Sequence, residues 1–129
     1  GSSIRVGQIT KDLRKFLETN KENIRNNVDK LATFVSCGMG CFEDKKDEAE
    51  SYLEKINTNY GIRPDLSRVF AGVYDFSKDS EVGFLARKAL KMVIKSEERT
   101  DQVDLNEKND FRDWDSIEAF AKEFVGILE

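Results

Sequence analysis

Apolar residues recur at two spacings along this chain. Leu13, Phe16 and Leu17 sit at i, i+3 and i+4, the spacing of one helical face, and Ile24 and Val28 continue the stripe. Thr10 stands before it as an N-cap. The stripe gives way to Leu31-Ala-Thr-Phe-Val-Ser-Cys37, a run of apolar and β-branched residues bounded by charge on one side and Gly38 on the other. It is too short for an ordinary helix and predicts a buried strand. Helical spacing returns in Ala49, Tyr52, Leu53 and Ile56, with Asp44 or Asp47 near the start, Gly61 as the stop and Pro64 excluding further helix.

Val69-Phe-Ala-Gly-Val-Tyr74 predicts a second strand, and Phe84, Leu85, Lys88, Ala89, Met92 and Val93 a further helix. The polar stretch from Ser96 to Asp113 reads as a surface connection. A last helix is expected from Asp115, with Glu118 as its capping-box partner and a stripe of Ile117, Phe120, Ala121, Phe124, Val125 and Leu128. Gly1 to Gly7 reads as a short polar lead-in with Gly7 at a turn. Strands separated by helices must pair in parallel, because parallel neighbours need a crossover. The fold class is therefore α/β, in a single domain spanning residues 1–129. Two strands are few for a sheet covered on both faces, so the chain is expected to lack part of its sheet.

Composition narrows the function classes. Hydrophobic residues make up 39% of the 129 and charged residues 36%, which fits a globular domain. The formal net charge is −4 with no basic block, so nucleic acid is not an expected partner. No apolar run approaches the roughly 20 residues that span a bilayer, so no integral membrane segment is expected. With two cysteines, Cys37 and Cys41, and no visible leader, a cytoplasmic, reducing setting is the simplest expectation. The sequence contains no histidine. Ser-His-Asp and Cys-His catalysis and the His-containing zinc sites are thereby excluded within this chain.

Ligands of open parallel sheets bind outside the carboxyl ends of the strands. That rule brings forward Ser2 to Gly7, Cys37-Gly-Met-Gly-Cys-Phe42 and Tyr74-Asp-Phe-Ser-Lys78. The glycines of the second segment would let backbone approach a flat ligand, and Met39 and Phe42 would cover a ring face. The same glycines would equally serve a tight strand-to-helix turn. Cys37 and Cys41 supply half of a four-thiolate site, with three residues between them where dithiol redox motifs have two. One buried and one semi-exposed free thiol is the simpler reading. Arg5 would pair an anionic group or lie in solvent. Trp114 reads as a packing anchor. Glu43, Asp44, Asp47 and Glu48 read as a helix N-terminus favoured by its macrodipole, not as a catalytic acid/base pair.

Gly1-Ser-Ser-Ile-Arg-Val-Gly7 followed by a Lys-rich helix resembles the loop after the third strand of flavodoxins, closest to the branch that contains menaquinone-dependent protoporphyrinogen oxidase. Asp65-Leu-Ser-Arg-Val-Phe-Ala-Gly-Val-Tyr74 is similar to that branch's fifth strand, with its Phe-Ala-Gly motif. Thr100-Asp101 and the Asp113-Trp114 lead-in to a Phe-Ala-Lys-Glu-Phe helix are similar as well. The resemblance covers nearly the whole chain in order. It implies a flavodoxin-like three-layer parallel sheet of which this chain holds the C-terminal part, without the N-terminal strands or the Ser/Thr-rich loop for the FMN phosphate.

The resemblance further implies FMN as cofactor. Ser2, Ser3, Ile4, Arg5 and Gly7 would lie on one loop flanking the isoalloxazine, and Cys37, Gly38, Met39, Gly40, Cys41 and Phe42 on the other. FMN-dependent electron transfer or oxidoreduction follows, with a redox partner protein or a small molecule, such as a porphyrinogen, as substrate. Residues 77–113 would be a long insertion before the last helix. The alternative function is a non-catalytic α/β interaction module. A strand Leu31 to Cys37 without its neighbour would present a bare apolar edge, so a homo-oligomer through that edge is expected.

Overall fold

The structure, a computed structural model, describes the chain except residues 6 and 7 and the side chains of residues 2, 4 and 5. The expected turn at Gly7 lies outside the described residues. In chain order the elements are β1 (Ser2–Arg5), β2 (Gln8–Ile9), α1 (Lys11–Asn27), β3 (Ala32–Cys37), two 3₁₀ turns (Gly38–Cys41 and Glu43–Lys45), α2 (Lys46–Asn59), β4 (Leu66–Ala71), β5 (Val73–Asp75), α3 (Phe84–Ser96), β6 (Lys108–Asp110) and α4 (Trp114–Leu128). They divide into two compact units, one of Gly1–Gly72 with Arg112–Glu129 and one of Val73–Phe111.

The first unit is built on a four-stranded sheet of order β2-β1-β3-β4. β1, β3 and β4 run parallel, and β2 pairs antiparallel with β1. The α/β class with a parallel sheet is as the sequence predicted. Side-chain alternation along the strands assigns the two faces. Thr33 and Ser67 turn toward α2, where the buried Asn57 amide donates to Thr33 Oγ1 at 3.1 Å and to Ser67 Oγ at 3.4 Å. Phe34 and Phe70 turn the other way, toward Phe120 of α4. The three rings meet edge to face with centroids 5.5–5.8 Å apart. Helices thus cover both faces. Leu17 of α1, Ile9 and Ile62 form a further apolar cluster, with Leu13, Ile24, Leu31 and Ile56 packed against it.

The helix ends follow local chemistry. Thr10 caps α1 by accepting from the Leu13 N–H, as expected. α2 closes in a Schellman motif: the Gly61 N–H donates to the Thr58 carbonyl at 3.0 Å and the Ile62 N–H to the Asn57 carbonyl at 2.8 Å. Gly61 takes φ 62°, the left-handed conformation that the sequence position predicted. α4 begins at Trp114 rather than Asp115, because Asp113 is the true cap and accepts from the N–H groups of Asp115 and Ser116. Glu118 is not drawn back into a capping box and pairs with Lys122 at 2.7 Å. Trp114 is not a packing anchor: it is 62% exposed, with the Arg112 guanidinium 5.1 Å from its ring centre.

Four further expectations need correction. Ser2–Arg5 is a strand, not a loop, because Ser2 and Ser3 find parallel partners in Val35 and Ser36. The edge of β3 is for the same reason not bare at Val35 and Ser36. The run Val69 to Tyr74 is broken at Gly72: β3 ends at Cys37 opposite Ala71, so β4 has no partner beyond that pair. The chain resumes as β5, which pairs antiparallel with β6 in the second unit. β6 itself lies in the expected surface connection Ser96 to Asp113. It is organised by Asn109, whose amide donates to the Tyr74, Asp104 and Glu107 carbonyls.

Two predictions test this architecture. Gly61→Ala places a Cβ on a left-handed residue and is expected to lower stability by about 1–2 kcal/mol, read as a reduced urea midpoint. Phe120→Ala removes the ring that joins both central strands to α4 and is expected to cost about 3–5 kcal/mol in the same assay.

A pH dependence follows from two carboxylates. The Leu31 N–H, and then Lys30, hold the Asp65 carboxyl below the usual carboxylate range, and Ser116 does the same for Asp113. The unfolded chain then binds more protons than the native one, so stability rises with pH through that range. The contribution is complete above about pH 4 and is lost as acid lowers the pH through the depressed values. Urea midpoints across an acid series check this, and Asp113→Asn is expected to flatten the dependence.

Candidate functional site

Three parallel strands end on one edge of the first unit: β1 at Arg5, β3 at Cys37 and β4 at Ala71. This is the edge at which an open parallel sheet receives a ligand. Chain geometry brings the segment Cys37–Phe42 to it directly, because β3 runs straight into a single 3₁₀ turn over Gly38–Cys41. β1 brings Ser2 and Ser3 beside Val35 and Ser36. Gly7 and the side chains of Ser2, Ile4 and Arg5 lie outside the described residues.

The turn residues divide by role. Cys37, Gly40 and Phe42 are buried, and Gly38, Met39 and Cys41 are half-buried. Gly40 lies against the backbone of β4, where an added Cβ would come 2.8 Å from the Phe70 carbonyl oxygen. Its lack of a side chain serves that close approach. Phe42, only 4% exposed, is a core ring. Cys41 clamps the edge: its Sγ accepts the Gly72 N–H at 3.3 Å and lies 3.8 Å from the carbonyl oxygens of Cys37 and Gly72. Gly38 and Met39 are the half-buried members of the turn that do not take part in this clamp. Burial pushes the Cys37 thiol up, with the N–H groups of Gly40 and Met39 acting against it in part.

Gly72, Ser36 and Ala71 belong to this edge and were not among the sequence candidates. Ser36 Oγ donates to the Ala71 carbonyl at 3.2 Å and lies beside Gly72. Gly72 carried a signal, a glycine closing a β-branched run, but which neighbour it served was set by the pairing of β3 with β4. The third candidate segment, Tyr74 to Lys78, belongs to the second unit. There the Asp75 carboxylate accepts from the Ser77 hydroxyl at 2.6 Å and its N–H at 3.0 Å, contacts that hold its pKa low. That carboxylate is committed to a local turn. A cleft of about 740 Å³ lined by Ile24, Arg25, Leu31, Ile62 and Arg63 sits at the opposite, amino end of β3. It lacks the converging strand ends that mark the carboxyl edge.

No group of residues suited to hold a metal ion occurs among the described residues, and Cys37 and Cys41 are not joined in a disulfide. No described helix is long and apolar enough to cross a membrane. Glu43, Asp44, Asp47 and Glu48 occupy the first turns of the second 3₁₀ segment and α2, as the sequence suggested.

A sheet with three parallel strands, clad with helices on both faces and with a glycine turn at its carboxyl edge, is consistent with the flavodoxin-like class of α/β domains. The flavodoxin-domain family model matches residues 1–104, and the chain belongs to that family. At the level of the family this ties it to FMN-related electron transfer. No curated protein and no solved structure matched the chain.

Two measurements test the turn. Gly40→Ala forces a Cβ onto the Phe70 carbonyl and is expected to destabilise by about 1–3 kcal/mol in urea unfolding. Iodoacetamide is expected to alkylate Cys41 ahead of Cys37 in the native protein, since Cys37 is buried and its thiolate disfavoured. Mass spectrometry of the labelled peptides reads the order.

Proposed function

We propose that this chain supplies the isoalloxazine-flanking part of an FMN site and serves, in its complete form, an FMN-dependent electron-transfer or oxidoreductase activity. The observation that carries the reading is the half-buried pair Gly38 and Met39 at the carboxyl edge where β1, β3 and β4 end. Gly38 lets a flat ring approach backbone, and the Met39 thioether is a polarizable cover for a ring face. Ser2, Ser3, Ile4, Arg5 and Gly7 form the other flank in this proposal. Cys37, Gly40, Cys41 and Phe42 hold the second flank in shape. The residues fit the ring alone: none of the described segments is a Ser/Thr-rich phosphate loop.

Bound FMN would supply the electron chemistry. The chain's own contribution is to position the ring, to exclude water from one face through Met39, and to set the local field through Arg5. The reading extends to a redox partner protein or a small-molecule substrate in the cytoplasm, with residues 77–113 as the insertion that selects it. A porphyrinogen is the substrate class that the sequence resemblance favours. Association of copies through a sheet edge belongs to the same proposal, as does a single domain over residues 1–129.

One observation favours the alternative of a non-catalytic α/β interaction module: Gly40 and Cys41 are already committed to packing against β4 and Gly72. Titration into FMN separates the two. Quenched flavin fluorescence and a yellow protein are expected, with Met39→Ala weakening binding up to about tenfold through the lost sulfur–aromatic contact. A colourless protein that leaves FMN fluorescence unchanged would sink the flavin reading and leave the interaction module.

A further inference from the structure

Helix α3 presents an apolar face to solvent. Phe84 is 70% exposed, Leu85 78%, Met92 64% and Val93 48%. At 3.6 residues per turn, Met92, Leu85, Ala89 and Val93 fall within roughly 100° of the helix circumference. The opposite side is anchored by Ile94, which is almost wholly buried. It is anchored as well by Arg87, which donates to the Ser77 carbonyl at 2.7 Å, and by Lys91, 5.8 Å from the centre of the Phe76 ring.

The charge on α3 is equally one-sided. Arg87, Lys88, Lys91 and Lys95 lie within Phe84–Ser96, which holds no Asp or Glu, although the chain as a whole carries a net charge of −4. Lys88 and Lys95 are exposed and fall on the flank of the apolar stripe. The nearest acidic residues, Glu81, Glu97 and Glu98, stand outside the helix, and Glu97 is held by Arg99 at 2.9 Å. An apolar stripe bordered by exposed lysines is the pattern of a helix that lies in a membrane interface. The apolar side chains enter the acyl boundary, and the lysine stems reach back to anionic headgroups.

We propose that α3 docks the protein on an anionic lipid surface, with Leu85, Met92 and Val93 inserted and Lys88 and Lys95 on the headgroups. The attachment is peripheral and independent of the flavin reading. A second copy docked symmetrically through α3 would bring a face of the same positive sign, whereas an anionic lipid surface complements both the charge and the apolar stripe.

Vesicle co-sedimentation of the full chain tests this. Vesicles containing phosphatidylglycerol are expected to pellet the protein, and pure phosphatidylcholine vesicles to leave it in solution, with binding weakened by salt. Leu85→Glu with Met92→Glu is expected to lower the partition coefficient more than about tenfold, and Lys88→Ala with Lys95→Ala by about tenfold or more. All four positions are exposed, so unchanged thermal unfolding and circular dichroism should accompany the loss. Failure to pellet with phosphatidylglycerol overturns the proposal, as does binding that survives the double Glu variant. A dimer in sedimentation equilibrium that dissociates in that variant, without vesicle binding, assigns the face to a second copy and overturns it too. So does binding to soluble polyglutamate that matches vesicle binding and ignores the apolar substitutions.

Discussion

The register of β3 against β4 is the constraint from which the rest follows. Six residue pairs, Ala32↔Leu66 through Cys37↔Ala71, set the contacts on both faces of the two strands. They put Thr33 and Ser67 under the same Asn57 amide and bring Phe34 and Phe70 to the same face beneath Phe120. They also finish both strands together, so that the turn after Cys37 can reach Gly72. Slipping the pair by one residue would send each side chain to the other face and leave the buried Asn57 amide without its hydroxyls. The polar cluster contributes little net stability, but it penalises the wrong register.

Much of this was legible in the chain. The helical stripes, the Thr10 cap, the Gly61 stop and the strand Leu31 to Cys37 each rest on local chemistry, and each emerged close to its expected place. The failures share a cause. Ser2–Arg5 has little strand character of its own and becomes a strand because β3 offers it partners. Val69 to Tyr74 has the composition of one strand and is divided because β3 stops supplying hydrogen bonds at Ala71. Asn109 in a polar stretch gave no sign that its amide would gather three carbonyls. Pairing across distance decided these cases, and periodicity does not report it.

At the carboxyl edge the sequence predicted a turn after Cys37 but not the division of labour within it. A Gly-Met-Gly run announces freedom, and only the approach of the Phe70 carbonyl distinguishes the glycine used for packing from the one left beside Met39. The same limit holds for α3. Its spacing identified a helix, whereas the direction of its apolar stripe depends on which side Ile94 and Arg87 anchor. An amphipathic pattern tells inside from outside only once the packing supplies a partner for one face.

The clamp between Cys41 and Gly72 gives sulfur a role that is neither redox nor ligation. The distances there, 3.3 Å to the Gly72 nitrogen and 3.8 Å to two carbonyl oxygens, match the radius of sulfur and exceed what a hydroxyl spans. A serine, though the better hydrogen-bonding group, would leave a gap at every one of these contacts. The position therefore selects for atomic size over polarity. Its thiol bridges the two strand ends while satisfying the Gly72 amide just beyond β4.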